Sequence, residues 1–343
     1  WGLLRAVTPK TNWGLEEQRA WDTVDLSVIQ RVLVMSTSVF LDKDLEVPAP
    51  LLPYGDEFKR LLKNVSDGVS PGSFTATMDN ATYHAQKAFI SSTGMKELIR
   101  SPAHYFEYLN GEREEKAPNL GTAIHAAVLE PAEYAKHYVT YAGYRKGKAW
   151  DEFKAANPNK QILNETESAA VEGVVKAVAQ FDAYPLRAAL DIGEVEKSIF
   201  WIDEETGVGC RIRADCLTPF VIFDVKSIDD ARPEKVARQV ASMEYDLQAF
   251  MYTEGVRAYT GQTLPFYFVF IETGRPHGIW IHRAGQSVMR NGEIKFRRGV
   301  RAFKRLQATG DWHGYANPIS DLELPRYSLI SPTPEDGIDP VTG

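Results

Sequence analysis

Val221-Ile222-Phe223-Asp224-Val225-Lys226 reads as an apolar strand with an acid and a lysine set into its far end. Successive side chains of a strand alternate between faces, so Asp224 and Lys226 point the same way. Two such groups aimed into a dry core would be unfavourable, whereas a strand end that opens into a polar cleft accommodates both. The plainer reading is an exposed strand end carrying an ordinary surface pair. Working outward, Asp215 closes the preceding strand-like run, 208–216, and a turn at Thr218-Pro219 brings it back beside Asp224. Glu196 lies on the arm before that, 195–202, joined through Asp203-Glu204-Glu205-Thr206-Gly207, whose glycine suits a hairpin loop. Four ionisable groups therefore converge at one corner of a sheet. Carboxylates on adjacent strands suit hard cations such as Mg²⁺, with Mn²⁺ as a substitute, and leave room for water and phosphate. Lys226 would then orient an attacking water or offset charge on phosphorus.

The rest of the chain places this corner in a mixed sheet. Ser91-Ser92-Thr93 caps a short helix ending at Ser101-Pro102, and Gly121 to Leu129 reads as a compact small-residue helix stopped by Glu130-Pro131. Asn164 with Glu167 opens a further helix as a capping box. After the three-strand meander, Val236, Val240, Met243, Leu247 and Phe250 form one stripe and predict a single long helix. Strands at 265–271 and 278–282 and a last helix near 287–308 follow. The order predicts an α/β (α+β) fold, a mixed central sheet flanked by helices. Residues 1–80 read as a leading segment and linker of unassigned role. They hold possible helices at 26–35 and 57–65, a proline-rich stretch, and a Ser/Gly/Pro run at 66–73. Residues 81–330 form the main domain, and 331–343 a mobile tail.

The 343 residues carry 44% hydrophobic and 25% charged side chains, as globular proteins do. The formal net charge is −7, which disfavours passive coating of nucleic acid but not a metal-filled site that meets phosphate. No apolar run approaches the roughly 18 residues of a membrane span. The start at Trp1 reads as part of a longer chain. Two cysteines, Cys210 and Cys216, give neither a disulfide framework nor a four-thiolate iron–sulfur cluster, and point to a reducing cytoplasm. Nucleotide-binding glycine loops are absent.

A set of ordered blocks carries a stronger signal. They are Tyr83-His84, Ile90-Ser91-Ser92, Ser101-Pro102-Ala103-His104-Tyr105, Leu120-Gly121-Thr122-Ala123-Ile124-His125, Leu129-Glu130-Pro131, Arg213-Ala214-Asp215, Asp224-Val225-Lys226 and Tyr245-Asp246-Leu247-Gln248-Ala249-Phe250. In these the chain, from about residue 83 to 329, resembles the PD-(D/E)xK nuclease superfamily, and within it the RecE-type exonuclease branch (exodeoxyribonuclease VIII). The resemblance implies the restriction-endonuclease-like core. It implies metal binding at Asp215, Asp224 and His125, with Val225 in the same set, and a catalytic role for Lys226 beside Glu196. His125 taken alone is an ordinary packed or surface histidine, and it gains its role only through the resemblance. Gln248 and Tyr252 share a helix face; they line the cleft, contact DNA or order Lys226, or else are a solvated position and a core cap.

The resemblance further implies an Mg²⁺-dependent exonuclease on double-stranded DNA, digesting the 5′-ended strand to leave 3′ tails for recombination. It implies a homotetrameric ring and a RecT-type single-strand annealing partner. The competing reading is a catalytically silent DNA-binding or scaffold protein that retains the fold. Arg297, Arg301 and Lys304 line one face of the last helix and could track DNA phosphates, or be a solvated face or subunit contact. Trp150, Trp280 and Trp312 are expected in the core rather than stacked on bases.

Overall fold

The computed structural model describes residues 75–76, 78, 80–111, 119–184, 186–316 and 319–324. The expected helices at 26–35 and 57–65, the 66–73 run and the 331–343 tail lie outside these residues.

Local signals set most of the helix boundaries. Strand β1 (Thr75–Ala76) and helix α1 (Asn80–Ala85) lead into α2 (Ser92–Arg100), where the Ser91 hydroxyl accepts the Gly94 N–H. Ser101 repeats that device for α3 (Pro102–Asn110), whose first-turn proline has no N–H to leave unpaired. Asn119 caps α4 (Leu120–Leu129), and α5 (Pro131–His137) follows at once. A small parallel pair, β2 (Tyr138–Thr140) and β3 (Gln161–Leu163), brackets α6 (Lys148–Ala156). The expected capping box forms at α7 (Glu165–Gln180): the Asn164 side chain accepts from Glu167, and the Glu167 carboxylate accepts the Asn164 N–H. α8 (Leu186–Ile192) then leads to the main sheet.

That sheet contains β4 (Glu194–Ile202), β5 (Gly209–Leu217), β6 (Ile222–Ile228), β7 (Phe266–Glu272) and β8 (Ile279–Arg283), in the order β1-β4-β5-β6-β7-β8. Within this sheet, among the described residues, only the β6–β7 pair is parallel. Parallel neighbours need a crossover, and here it is two helices, α9 (Pro233–Ser242) and α10 (Tyr245–Thr260), not the single one that the apolar stripe predicts. Glu244 adopts a left-handed conformation (φ 52°) and Met243 is 51% exposed, so the stripe turns a corner there. The turn lets α10 lie across β4 and β5, and α11 (Gln286–Thr309) packs along α10.

Helices cover the sheet on both sides. Phe266, Phe268 and Phe270 of β7 join one apolar cluster with α2, α10 and α11; Val269 and Ile271 join the other with α4, α7 and α8. Burial on both faces is what a parallel pair at the sheet centre requires. Trp280 corrects its core expectation: it stands 46% exposed on edge strand β8, stacked on His282. Among the described residues no helix is long and apolar enough to cross a membrane.

Candidate metal centre and active-site corner

Strand register places three acids in a row. Val195 pairs with Cys216 and Lys197 with Ala214, which sets Glu196 opposite Asp215. Cys216 pairs with Phe223 and Leu217 with Ile222, which sets Asp215 opposite Asp224. The β5–β6 pairing stops at Cys216–Phe223, and there the two strands part. In place of a ladder bond, the Asp215 carboxylate accepts the Val225 N–H at 2.8 Å. Glu196 itself is left-handed (φ 52°), rare for a residue with a side chain in mid-strand, and this strain falls at the corner.

Helix α4 supplies the fourth group. A Cβ on Gly121 would lie 2.7 Å from Ser227 Oγ and 2.9 Å from Asn119 Oδ1, so glycine is what lets α4 settle on β6. One turn later His125 Nε2 sits 3.0 Å from Asp215 Oδ2, with Nδ1 3.7 Å from Glu196 Oε1. One ligand atom each from His125, Glu196 and Asp215 lie within 4.8 Å of one another. One imidazole nitrogen and two carboxylate oxygens form a donor set that fits a divalent cation. Val225 buries its side chain in the cluster around α4 and could offer a cation only its main-chain carbonyl.

Asp224 and Lys226 continue the same corner along β6, where α10 packs against them. Asp224 is fully buried, with Lys226 Nζ at 2.5 Å and Gln248 Nε2 donating at 2.6 Å. The Lys226 ammonium also lies 5.2 Å from the Tyr245 ring centre. Gln248 thus orders the Asp224 carboxylate directly, and Lys226 through it. Tyr252, one turn on, is buried edge-on against Phe266 at 6.0 Å.

Charge is balanced at this corner. Burial disfavours the His125 imidazolium, but the Asp215 charge and hydrogen bond, helped by Glu196, outweigh it and push its pKa up to about 9. Burial also works against the Asp215 carboxylate, yet His125, Lys226 and the Val225 N–H hold its pKa below the usual range. Asp224 goes the other way: burial lifts it to about 6 despite Lys226. Burial raises Glu196 as well, opposed by His125 and Arg213, whose Nε donates to it. The Lys226 pKa is raised, because Asp224 and Asp215 outweigh its burial. His125, Arg213 and Lys226 thus set three positive groups against the three carboxylates.

Three neighbours were not assigned from sequence. Arg213 and Tyr245 lie inside quoted blocks, but nothing in their spacing marks a role. Lys96 of α2, 5.0 Å from the Tyr245 ring centre, sits between blocks and reaches the corner only through tertiary packing. On the basic face of α11, two of the three residues have carboxylate partners. Arg297 donates to Asp203 at 2.8 Å and Arg301 to Glu205 at 2.6 Å, so both reach the acidic β4–β5 turn. Lys304 is exposed, as are Arg298 and Arg305, and among the described residues none of the three has a carboxylate partner.

Comparison with known proteins agrees with this geometry at the level of family. The family described as "PDDEXK-like domain of unknown function (DUF3799)" matches residues 91–322, more than half of the chain. A crystal structure of a candidate exonuclease from Eubacterium rectale aligns over 67% of this chain and 87% of its own, at 19% identity and a TM-score of 0.45. A second, of a protein called SSO0001, aligns over 60% and 85% at 12% identity and a TM-score of 0.23. Comparison with curated proteins gives no match.

Proposed function

The chain belongs to the PDDEXK-like family DUF3799, and from that membership and the corner on β4–β6 we propose that it is a divalent-metal-dependent nuclease cleaving linear duplex DNA. The observation that carries this is the meeting of His125, Glu196 and Asp215 within ligand distance of each other, beside the buried Asp224–Lys226 pair. His125, Asp215 and Asp224, with the Val225 carbonyl and Glu196 at the rim, would hold Mg²⁺ or Mn²⁺. Such a cation supplies positive charge against the phosphate oxygens and favours ionisation of water.

The protein's own groups do the remaining work. Gln248 fixes the Asp224 carboxylate, and Asp224 in turn holds the Lys226 ammonium at the mouth of the parted strands. From there Lys226 orients the attacking water and offsets charge growing on the phosphoryl oxygens. Arg213 keeps Glu196 turned toward the same point.

In finer detail, the reading is an exonuclease of the RecE type that uses Mg²⁺ and degrades the 5′-ended strand. The resulting 3′ tails would serve recombination with a RecT-type annealing partner, and a homotetrameric ring would enclose the duplex. Support for these points comes from the sequence blocks alone. The test follows linear duplexes labelled at the 5′ or the 3′ end, with and without Mg²⁺. Digestion that requires Mg²⁺ and disappears in Asp224→Ala and Lys226→Ala is expected; full activity in either variant would refute the assignment.

A further inference from the structure

Among the described residues four lysines are partly buried: Lys96, Lys197, Lys226 and Lys295. Three have a carboxylate in reach. Lys197 is paired with Glu194, Lys226 with Asp224 at 2.5 Å, and Lys295 with Asp246 at 2.9 Å. Lys96 has none within ion-pair distance; its ammonium rests against the Tyr245 ring, 5.0 Å from the centre, and Lys226 sits 5.2 Å from the same ring. Two ammonium groups thus flank one tyrosine at the corner, and of the two only Lys226 has a carboxylate within ion-pair distance.

A desolvated cation without a partner is unfavourable, and a second cation nearby makes it more so. Burial, followed by repulsion from Lys226, outweighs the more distant pull of Asp224, Glu244 and Asp246 and brings the Lys96 pKa down to about 8. The face of the Tyr245 ring offsets only part of that cost. A phosphodiester entering the corner brings an anion to this position, and a lysine matches it as a point charge.

We infer that Lys96 contacts a backbone phosphate of the bound strand, next to the phosphate that Lys226 meets. This rests on the nuclease reading and adds a second anchoring point to it. Lys96 takes no part in bond cleavage; it fixes the strand so that the scissile phosphate falls on Lys226 and the carboxylates.

The experiment compares the full chain with Lys96→Gln and Lys96→Arg. Binding of a fluorescent linear duplex is measured with Ca²⁺ in place of Mg²⁺ across a salt series, and cleavage with Mg²⁺. Lys96→Gln is expected to bind about tenfold more weakly, as loss of one charge-assisted contact predicts. Its log–log salt dependence should be shallower by about 0.9, the slope of a single duplex phosphate contact. KM should rise with kcat nearly unchanged, Lys96→Arg should restore binding, and the DNA-free melting temperature should stay level or increase. Wild-type slope and KM in Lys96→Gln, beside a wild type that digests duplex, would overturn the inference alone. So would a lower melting temperature with loss of binding in both variants, which marks a packing role. A wild type that neither binds nor cuts duplex removes the nuclease reading, and this inference with it.

Discussion

Replacing Asp224 by Asn and Lys226 by Met, singly and together, tests whether the corner is held by paired charge. Asp224 is wholly buried against Lys226 at 2.5 Å, and the lysine side chain is only 18% exposed. Asp224→Asn leaves that ammonium without its nearest counter-charge. Stranding a buried charge costs roughly 3–5 kcal/mol, and because Asp215 remains nearby the lower end, about 3 kcal/mol, is expected. Lys226→Met strands the acid instead, but burial has already lifted Asp224 to about 6. Neutralising it at pH 7 requires roughly one further pH unit, about 1.4 kcal/mol, so this variant loses about 1–2 kcal/mol. The double variant keeps the Gln248 contact, strands no charge and should lie within about 1 kcal/mol of wild type. The cycle therefore predicts a coupling of about 3 kcal/mol. Urea unfolding of the metal-free protein at pH 7 with chelator present measures it, and all three variants should be inactive on duplex DNA. If the two single losses simply add, with coupling below about 0.5 kcal/mol, the charge-balance account is wrong.

Three further outcomes follow from the same geometry. The His125 pKa of about 9 is raised in the folded state, so its stabilising pairing with Asp215 is complete below about 6.5 and lost as pH rises through 9. His125→Gln should flatten that stability change between pH 6.5 and 9, and in the wild type calorimetric Mn²⁺ binding should release a proton and tighten by up to about tenfold per pH unit over the same window. Gly121→Ala drives a methyl into Ser227 and Asn119, lifting α4 from β6; a loss of about 1–3 kcal/mol in urea unfolding is expected, with weaker Mn²⁺ binding. Gln248→Leu strips Asp224 of its amide donor; about 1–3 kcal/mol of stability should go, and the acid limb of the kcat/KM profile should move to higher pH.

Much of this was legible in the sequence, because strand alternation and turn chemistry act over a few residues. The β4–β5–β6 meander, the shared face of Asp224 and Lys226, and the Asn164–Glu167 box all follow from neighbours along the chain. The break at Met243-Glu244 was hidden because the apolar stripe continues across it, and only packing against β4 and β5 demands a turn. β2 and β3 have three residues each, too few to show a period. Arg297 and Arg301 looked like a free basic face because their partners, Asp203 and Glu205, are nearly a hundred residues away. Lys96 was illegible for the opposite reason: what distinguishes it is the lack of a carboxylate within ion-pair distance beside the Tyr245 ring, which only a fold can reveal.

The substitution of a carboxylate for a missing ladder bond at Asp215 bears on how such a protein could decay over evolutionary time. Lys226 takes no part in the Asp215–Val225 bond, so a chain shedding activity through that position keeps this link between β5 and β6. Position 215 is not free in the same sense. A descendant that abandons hydrolysis can discard the negative charge there, but it must still present an oxygen to the Val225 amide. Inactive descendants of this chain should therefore carry asparagine or serine at 215 far more often than alanine or valine.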